Sequence, residues 1–387
     1  MSRAVLLLFL LLLLSACISV PTTPTASLPS PNLTIVTSIP PTLVPTSTPV
    51  PNAEELIYPY TIDGLRKHKY QSGKITIVEE LLQTELFTRY LIEYPSDGLT
   101  ITGIMQIPKN GREPFPVIVM NHGFFSRFVY ASGDGTDRAA EFLNRRGYLT
   151  ISSDYRSWGG SDYGPSLFYS GLVIDVINLI NAIPSIPQAD YEHVGLWGHS
   201  MGGGVTFKVL TVYPALLSPR LKPKSGGTIN GVDVEVLIKA AVLYSPVSAD
   251  DSDIIARWGP GCVGDIASGE RLFGCNSSDI LPLDLPPALI AAYQDAASRA
   301  DLLEQVSAIY HLEYVMVPVQ IHYGILDGEF LNGTPPEWSK KAYEAFMEAN
   351  KPVELYGYEG ERHSFLADQW WSFMERSAKF FDMHVRK

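Results

Sequence analysis

Cysteine and metal-binding patterns are scarce in this chain of 387 residues. Its three cysteines are Cys17, Cys262 and Cys275, and no two of them form a Cys-x-x-Cys pair. None of the eight histidines lies in a His-Glu-x-x-His pattern. Because structural and catalytic zinc sites commonly depend on such spacings, we expect no metal site, and we expect no other cofactor.

A basic surface is also missing from the sequence. The chain carries 29 Lys and Arg residues against 41 Asp and Glu residues, a formal net charge of −12, and it contains no basic run. Binding of nucleic acid depends on Lys and Arg concentrated on one face, so we expect no nucleic-acid partner. With 46% hydrophobic and 18% charged residues, the composition is that of a globular protein with one large domain or two modest ones.

The apolar run at the N-terminus is too short to span a bilayer comfortably. In MSRAVLLLFLLLLLSACISV, Arg3 precedes an apolar block at residues 5–14, and two small residues lead into Cys17. This is the pattern of a signal peptide, which we assign to residues 1–16. The tetrapeptide LSAC resembles a bacterial lipobox, and the resemblance implies an extracytoplasmic lipoprotein held at the cell membrane by acylated Cys17. An uncleaved anchor helix and a plain secretory signal are the alternatives.

The segment that follows this cysteine has no charged side chain up to residue 52 and is dominated by Pro, Thr and Ser. Such a segment buries too little apolar surface to offset its ordering entropy. We predict a mobile tether at residues 17–52 and a folded domain at residues 53–387. Within that domain, Cys262 and Cys275 flank a short loop. In an oxidising compartment they either form a disulfide or remain two buried free thiols.

From about residue 85, apolar β-branched runs alternate with stretches of helical spacing. Two antiparallel strands are predicted around a Ser-Asp-Gly turn, and further strands at residues 116–123, 148–155, 193–200, 239–246, 317–327 and 353–360. Short apolar strands separated by helices predict an α/β fold with a mostly parallel, doubly wound sheet. Residues 249 to about 312 contain no clear strand. We interpret them as an inserted helical cap over the carboxyl edge of the sheet, where such folds bind ligands.

A single serine stands among glycines in VGLWGHSMGGGVTFKVL, residues 194–210. A predicted strand ends at the pentapeptide GHSMG, and a helical stretch follows. Such a turn is a nucleophile elbow, in which glycines are needed because flanking side chains do not fit. The helix directs its first N–H groups and its partial positive charge toward the serine. We predict Ser200 to be a nucleophile; the alternative is a glycine-rich turn with a bystander serine.

A nucleophilic serine needs a histidine base, and the base needs an orienting carboxylate. After an elbow of this type, the acid precedes the histidine in the chain. Asp327 stands just after a predicted strand, with Glu329 as the competing acid. Of the two later histidines, His363 lies in a predicted loop before the last helix, whereas His384 is close to the end of that helix. We predict Asp327 and His363 to be the acid and the base; a surface-loop histidine is the alternative.

An oxyanion hole needs two backbone N–H groups aimed at the developing negative charge. Met201, directly after the serine, would supply one, and Phe124, after the His-Gly pair of NHGFFS, would supply the other. Phe124 and Phe125 would also line the mouth of the site with apolar surface. A hydrophobic loop packed under the cap is the alternative, and both can hold together. We interpret His122 and His199 as local packing or hydrogen-bonding residues.

Together these motifs resemble the α/β-hydrolase superfamily over roughly residues 85–385, outside the insertion. The segments NHGFFS, SSDYRSWGGSDYG, GHSMGGG, GILDGEF and GERHSF occur in the order of that family. DYRSWGGSD is similar to the family's Asp-x-Arg-Gly-x-Gly-x-Ser loop, with Ser157 in place of the first glycine. GHSMGG is most similar to prolyl-oligopeptidase-type (S9) serine peptidase domains and to dienelactone-hydrolase-like esterases. The resemblance implies the α/β-hydrolase fold and acyl-transfer chemistry.

These residues predict a serine hydrolase that cleaves a carboxylic ester through an acyl-enzyme intermediate. Many of the S9 peptidases have a second glycine where this chain has Phe124, and residues 53–84 are too few for their propeller domain. A peptidase that acts on short peptides is therefore the second choice. A non-catalytic surface protein that binds ligands with a degenerate hydrolase fold is the third, and the presence of a serine, an acid and a histidine disfavours it.

Overall fold

The described residues in the computed structural model of this chain are 52–213, 227–229, 232–260 and 285–386. Cys17, Cys262 and Cys275 lie outside them, so the predicted lipid anchor and the predicted disulfide do too. The signal peptide and all but the last residue of the predicted tether also lie outside.

A nine-stranded sheet organises the fold, with strand order β1-β2-β3-β5-β4-β6-β9-β10-β11. The strands are β1 Thr76–Gln83, β2 Phe87–Ser96, β3 Leu99–Pro108, β4 Phe115–Asn121, β5 Leu149–Ser153, β6 Ala189–His199, β7 Gly227–Ile229, β8 Val232–Val234, β9 Ile238–Tyr244, β10 Val319–Gly324 and β11 Val353–Tyr358. From β5 to β11 along this order the neighbours are parallel, whereas β1, β2 and β3 are antiparallel to theirs. β7 and β8 form a separate antiparallel pair. The predicted α/β class with a mostly parallel sheet is confirmed.

The predicted strands are all present. The short pair β7 and β8 was not predicted, and neither was one strand of the nine-stranded sheet. The hairpin of β2 and β3 turns at Asp97 and Gly98, whose φ angles of 50° and 81° suit a tight two-residue turn. The unpredicted strand, β1, lies at the edge of the sheet and is exposed along its whole length. Its pairing with β2 is interrupted by two register shifts, between Ile77 and Glu79 and between Glu80 and Leu82.

Helices cover both faces of the sheet. They are α1 Ala53–Ile57, α2 Ile62–Lys67, α3 Asp137–Asn144, α4 Ser170–Ala182, α5 Met201–Val212, α6 Asp251–Trp258, α7 Pro287–Ala296, α8 Ala300–Val306, α9 Pro336–Glu348 and α10 Ala367–His384. Along β4, Val117 and Val119 belong to one apolar cluster, with α4 and α5, whereas Ile118 and Met120 belong to a second, with α3 and α10. This alternation is what a strand covered on both faces requires.

The most apolar helix is a core element. The stretch Leu167–Ser185, which contains α4, is long and apolar enough to cross a membrane by composition, but its most apolar window is entirely buried inside the fold. Every residue of α4 is buried. A helix that is apolar on all sides is expected in the interior of a large domain.

The described part of the insertion at residues 249–312 is helical. α7 packs against α1, and α8 packs against α2 and α6. Buried residues of α7 and α8, among them Tyr293 and Leu302, join the larger apolar cluster. α6 ends at Trp258, beside the carboxyl edge of the sheet, and it is the described helix of the insertion that reaches the site below.

Candidate active site

Ser200 occupies a strained turn between β6 and α5, with φ 56° and ψ −121°. A Cβ atom on Gly198 would lie 2.3 Å from the Gly202 carbonyl oxygen and from Thr206 Oγ1. A Cβ atom on Gly202 would lie 2.1 Å from the Asn121 carbonyl oxygen. Larger residues do not fit at these two positions, so the glycines of the motif are what allow the serine to adopt this strained conformation.

The end of β9 holds this turn from both sides. The Ser200 N–H donates to the Tyr244 carbonyl at 3.0 Å, and the Val247 N–H donates to the Ser200 carbonyl at 3.0 Å. In the first turn of α5, Gly203 N–H also donates to the Ser200 carbonyl, at 2.9 Å. The serine backbone is therefore fixed by hydrogen bonds as well as by sterics.

The three predicted site residues lie in hydrogen-bond contact. His363 Nε2 is 2.8 Å from Ser200 Oγ, and His363 Nδ1 is 2.9 Å from Asp327 Oδ2. Asp327 is buried, with 3% of its surface exposed. An ionised carboxylate can only accept, so Nδ1 carries the ring proton and Nε2 is left to accept from the serine hydroxyl. This is the arrangement that serine nucleophiles require.

Asp327 is oriented by a loop whose contribution the sequence did not reveal. The N–H groups of Gly328 and Thr334 donate to Asp327 Oδ1 at 2.8 and 2.9 Å. The Thr334 hydroxyl donates to Oδ2 at 2.8 Å. Thr334 lies seven residues from the acid in a stretch without a recognisable motif, so no sequence signal marks it.

The competing candidates lie in other surroundings. Glu329 forms an exposed ion pair with Arg362 at 2.7 Å, with 44% of the glutamate side chain accessible. His384, at the end of α10, packs its ring against Phe380 at 4.7 Å between ring centroids. The hydrogen bonds to His363 and Ser200 thus single out Asp327 and His363.

His199 links the elbow to the loop of His363. Its Nε2–H donates to the His363 carbonyl at 3.1 Å, and its ring stacks on Tyr244 at 4.4 Å. Burial, with a smaller contribution from the neighbouring His363, lowers the pKa of His199 to about 3. His199 is therefore neutral near pH 7. Packing and hydrogen bonding were predicted for this residue; its contact with the base was not.

A cavity of about 410 Å³ opens above Ser200. Its described lining consists of Gly123, Phe124, Phe125, Tyr169, His199, Ser200, Met201, Val247, Trp258, Asn332, His363 and Ser364. Gly123 lies against the nucleophile, because a Cβ on it would be 3.1 Å from Ser200 Cβ. Within the described part of the chain, the N–H groups of Phe124 and Met201 donate to no other protein group. Both predicted oxyanion donors thus line the cavity with their N–H groups unengaged.

Exposed apolar side chains continue from the cavity onto the surface. Phe128 is 76% exposed, and Phe330 and Leu366 are 62% and 71% exposed. Each lies within a few residues of a cavity-lining position, in the loops after β4, β10 and β11. Because the carboxyl ends of parallel strands share one edge, these loops surround the same opening.

The segment DYRSWGGSD is a structural anchor beside the site. Ser157, which stands where the family pattern has glycine, adopts φ 75°, a conformation that glycine favours. Arg156 binds Asp175 of α4 through Nε and Nη2 at 3.0 and 2.8 Å, and this ion pair is buried. Asp154 accepts from Tyr130 Oη at 2.8 Å. The motif fastens the loop after β5 to the core helix.

A buried ion pair connects α5 to the insertion. Lys208 Nζ lies 3.2 Å from Asp251 Oδ2 of α6 and donates to the Phe168 carbonyl at 2.7 Å. Burial lowers the pKa of Lys208 and raises that of Asp251. Lys208 thus holds two elements that contribute to the cavity. One is α6, whose Trp258 lines it, and the other is the turn that carries Tyr169. The sequence contains no pattern that predicts this pairing.

Comparison with known proteins shows where the chain is similar to others. A family model described as serine aminopeptidase, S33, matches residues 112–255. The lysophosphatidylserine lipase ABHD12 of Xenopus tropicalis is 35% identical over 91 residues, which are 24% of this chain and 22% of that protein. The chain thus spans less than a quarter of that relative.

Solved structures extend the similarity to most of the chain. Acetyl xylan esterase 1 from Thermoanaerobacterium sp. superposes with a TM-score of 0.53 at 16% identity, covering 84% of this chain and 93% of the esterase. A puromycin-hydrolysing peptidase of Mycobacterium tuberculosis superposes with a TM-score of 0.53 at 20% identity, covering 79% of this chain and 41% of the peptidase. At these identities the similarity concerns the fold.

Proposed function

We propose that this chain, a serine hydrolase of the α/β-hydrolase superfamily, cleaves carboxylic esters of uncharged, apolar acyl groups. The observation that carries the proposal is the hydrogen-bonded series from Asp327 through His363 to Ser200, which ends in a cavity lined by aromatic side chains. Serine activated in this way attacks acyl carbonyls, and the lining offers the acyl group an apolar environment.

In the proposed acylation step, Ser200 Oγ attacks the carbonyl carbon of the ester while His363 Nε2 takes the hydroxyl proton. Asp327 stabilises the imidazolium that forms. The carbonyl oxygen becomes an oxyanion, which the N–H groups of Phe124 and Met201 and the N-terminus of α5 stabilise. The C–O bond then breaks, and His363 returns its proton to the departing alkoxide, so an alcohol leaves and the acyl group stays on Ser200.

Deacylation repeats the chemistry with water. His363 takes a proton from the water as its oxygen attacks the acyl carbon, and the same donors stabilise the second oxyanion. The bond to Ser200 Oγ breaks as His363 returns the proton to that oxygen. The products are the free acid and the regenerated serine, so no cofactor is consumed.

The cavity lining favours an ester over a peptide. Among the described lining residues, none carries a carboxylate that could hold the ammonium group of a peptide N-terminus. Four aromatic side chains, together with Met201 and Val247, give the lining apolar surface, and the exposed side chains of Phe128, Phe330 and Leu366 extend an apolar path to the surface. The match to the serine aminopeptidase model favours a peptidase, which is the second candidate function.

We also propose that the enzyme works outside the cytoplasm, anchored to a bacterial cell membrane through acylated Cys17. The sequence LSAC and the uncharged segment after it support this location. The test is the Cys17→Ala variant, which should move from the membrane fraction to the soluble fraction. Retention of this variant in the membrane fraction would count against the anchor.

The role of Ser200 is tested by labelling with a fluorophosphonate probe, which reacts with activated serines. Wild-type protein should be labelled, and Ser200→Ala should not. Ser364 is the other serine in the described lining of the cavity, and Ser364→Ala serves as the matched control that should still be labelled. Equal labelling of Ser200→Ala and wild type would refute the proposed nucleophile.

Substrate class is tested by comparing turnover of p-nitrophenyl acyl esters with that of aminoacyl and prolyl p-nitroanilides. We expect hydrolysis of the esters, with kcat/KM rising as the acyl chain fills the cavity. Activity confined to the anilides would establish the peptidase instead. Absence of both activities together with absence of probe labelling would favour a surface protein that only binds ligands.

A further inference from the structure

Thr334 stands between the proposed acid, the proposed base and the end of β9. Its hydroxyl oxygen is 2.8 Å from Asp327 Oδ2, 3.3 Å from His363 Nδ1 and 3.1 Å from the Ser245 carbonyl oxygen. Thr334 is 3% exposed, so water does not compete freely for these contacts. A single hydroxyl thus contacts both the acid and the base of the proposed machinery.

The hydrogen-bonding capacity of a hydroxyl limits what these contacts can be. It has one proton and two lone pairs. The proton can go to Asp327 Oδ2 or to the Ser245 carbonyl, and the shorter contact is to the carboxylate. His363 Nδ1–H points at Asp327 Oδ2, at 2.9 Å, and the Thr334 oxygen is a second, more distant acceptor for it. The hydroxyl therefore stabilises the carboxylate oxygen that binds the base.

The two oxygens of Asp327 are held by different means. Oδ1 accepts only from the backbone N–H groups of Gly328 and Thr334. Any residue except proline at position 334 would supply the second of these donors. Oδ2 accepts from His363 and from the Thr334 hydroxyl. Rotation of the carboxylate about its Cβ–Cγ bond would break the Oδ2 contacts, so the hydroxyl resists that rotation.

We infer that Thr334 is a positioning residue whose hydroxyl fixes the plane of the Asp327 carboxylate and thereby the orientation of the His363 ring. This inference rests on the proposed function, because the proposed function makes Asp327 the acid and His363 the base. It deepens that function by naming a fourth side chain on which the proton transfer depends.

The Ser245 carbonyl extends the argument to the nucleophile. Ser245 has a positive φ of 40°, and its neighbours Tyr244 and Val247 hydrogen-bond the backbone of Ser200. When the Thr334 hydroxyl contacts the Ser245 carbonyl, the acid loop is joined to the same strand end that holds the elbow. Thr334 therefore stands where the acid loop meets the strand end that holds the nucleophile, and its proton goes to one of these two acceptors at a time.

The acid loop has other supports, so the loss of one hydroxyl should leave it folded. Arg257 Nη2 donates to the carbonyls of Gly328 and Phe330 at 3.1 and 2.9 Å. Trp258 Nε1 donates to the Leu331 carbonyl at 2.5 Å. Removing the Thr334 hydroxyl thus isolates its effect on Asp327 from the folding of the loop.

The test compares Thr334→Val, which keeps the shape and loses the hydroxyl, with Thr334→Ser, which keeps the hydroxyl. On a p-nitrophenyl ester, Thr334→Val should lower kcat about tenfold to a hundredfold, because small misplacements of catalytic groups have effects of this size. KM should stay within about twofold, since Thr334 does not line the cavity. Thr334→Ser should restore most of kcat. Thr334→Ala against Thr334→Ser repeats the comparison with smaller residues if the valine variant folds poorly.

A double-mutant cycle shows whether the effect passes through the acid. In the Asp327→Ala background, Thr334→Val should cause no further loss, because the carboxylate it positions is gone. Three results would overturn the inference: wild-type kcat in Thr334→Val, equal losses in Thr334→Ser and Thr334→Val, or fully additive losses in the cycle. If Ser200→Ala retains full activity, the proposed function fails; if only the Thr334 results disagree, this inference fails alone.

Discussion

The elbow around Ser200 and the acid loop around Asp327 are built in different ways. At the elbow, the backbones of Gly202 and of Asn121 in β4 leave no room for a Cβ atom on Gly198 or Gly202, and backbone hydrogen bonds to the end of β9 hold Ser200. In the acid loop, the carboxylate is held by Thr334, seven residues away, and the loop itself is held by Arg257 of α6, which lies 71 residues before Gly328. Steric exclusion sets the glycine requirement of the first region, whereas side-chain hydrogen bonds hold the second.

The difference determines how each region should respond to change. Sterically determined sites fail abruptly, because a Cβ atom either fits or does not. Sites determined by several hydrogen bonds should lose function by degrees as individual donors are removed. Substitutions in the two regions should therefore separate loss of folding from loss of alignment.

The largest effect is expected from Gly202→Ala in the elbow. Its Cβ would lie 2.1 Å from the Asn121 carbonyl oxygen, so the backbone of β4 or α5 must move. We expect a loss of about 3 kcal/mol or more in the free energy of unfolding, together with loss of probe labelling. Thermal unfolding followed by circular dichroism measures the former.

Gly360→Ala is the matched control for that substitution. Gly360 has φ 76° and no atom within 4 Å of its added Cβ, so only conformational strain is introduced. The cost should be about 1–2 kcal/mol with labelling retained. Destabilisation by Gly202→Ala no greater than that by Gly360→Ala would show that the space around the elbow does not set the glycine requirement.

A smaller effect on the fold, but a large effect on catalysis, is expected from Asp327→Asn. An amide cannot stabilise the imidazolium and favours the wrong histidine tautomer, so kcat should fall about 10³–10⁴-fold. Glu329→Gln removes a carboxylate of the same loop that is exposed and paired with Arg362. It should leave kcat within about twofold, as exposed ion pairs contribute little. Steady-state kinetics on one ester measures both, and a larger loss in Glu329→Gln would reassign the acid.

The smallest expected effect concerns stability at low pH. Burial holds the pKa of His199 at about 3, below that of the same residue in the unfolded chain, about 6.5. Between these values the unfolded state binds a proton that the folded state does not, so stability falls as the pH is lowered through this window. His122 and His322, whose pKa values are also lowered by burial, act in the same direction.

Removal of one such histidine should therefore flatten the dependence of stability on pH. Each contributes up to about 1.4 kcal/mol per pH unit. Melting temperatures from pH 7 to pH 4 should decrease less steeply in His199→Gln than in wild type. An unchanged slope in His199→Gln would show that this histidine is protonated in the folded state.

The parts of the molecule that the sequence predicted are those determined by local pattern. The predicted α/β-hydrolase fold is confirmed, because apolar runs and helical spacing report directly on a buried parallel sheet. The glycines around Ser200 likewise predicted the elbow, and the order of acid and histidine after it predicted Asp327 and His363. Ser157 shows the limit of such a pattern, since a serine there takes the positive φ that glycine favours.

Features that depend on distant partners could not be predicted. Thr334, the link from His199 to His363 and the Lys208–Asp251 pair each join residues far apart in the chain. β1 was missed for another reason: all its residues are exposed, so it lacks the alternation of a half-buried strand. The assignments of Cys17, Cys262 and Cys275 stay predictions, because these residues lie outside the described part of the chain.

The exposure of β1 has a consequence for association between chains. It is the outer strand of the sheet and presents Ile77, Val78, Leu81 and Leu82 to solvent, which on a regular edge would favour pairing with another chain. Its two register shifts break the row of backbone donors and acceptors, and two glutamates stand between the apolar pairs. Bulges and charges of this kind prevent edge-to-edge aggregation. The strand can thus remain apolar without serving as a template for β-aggregation.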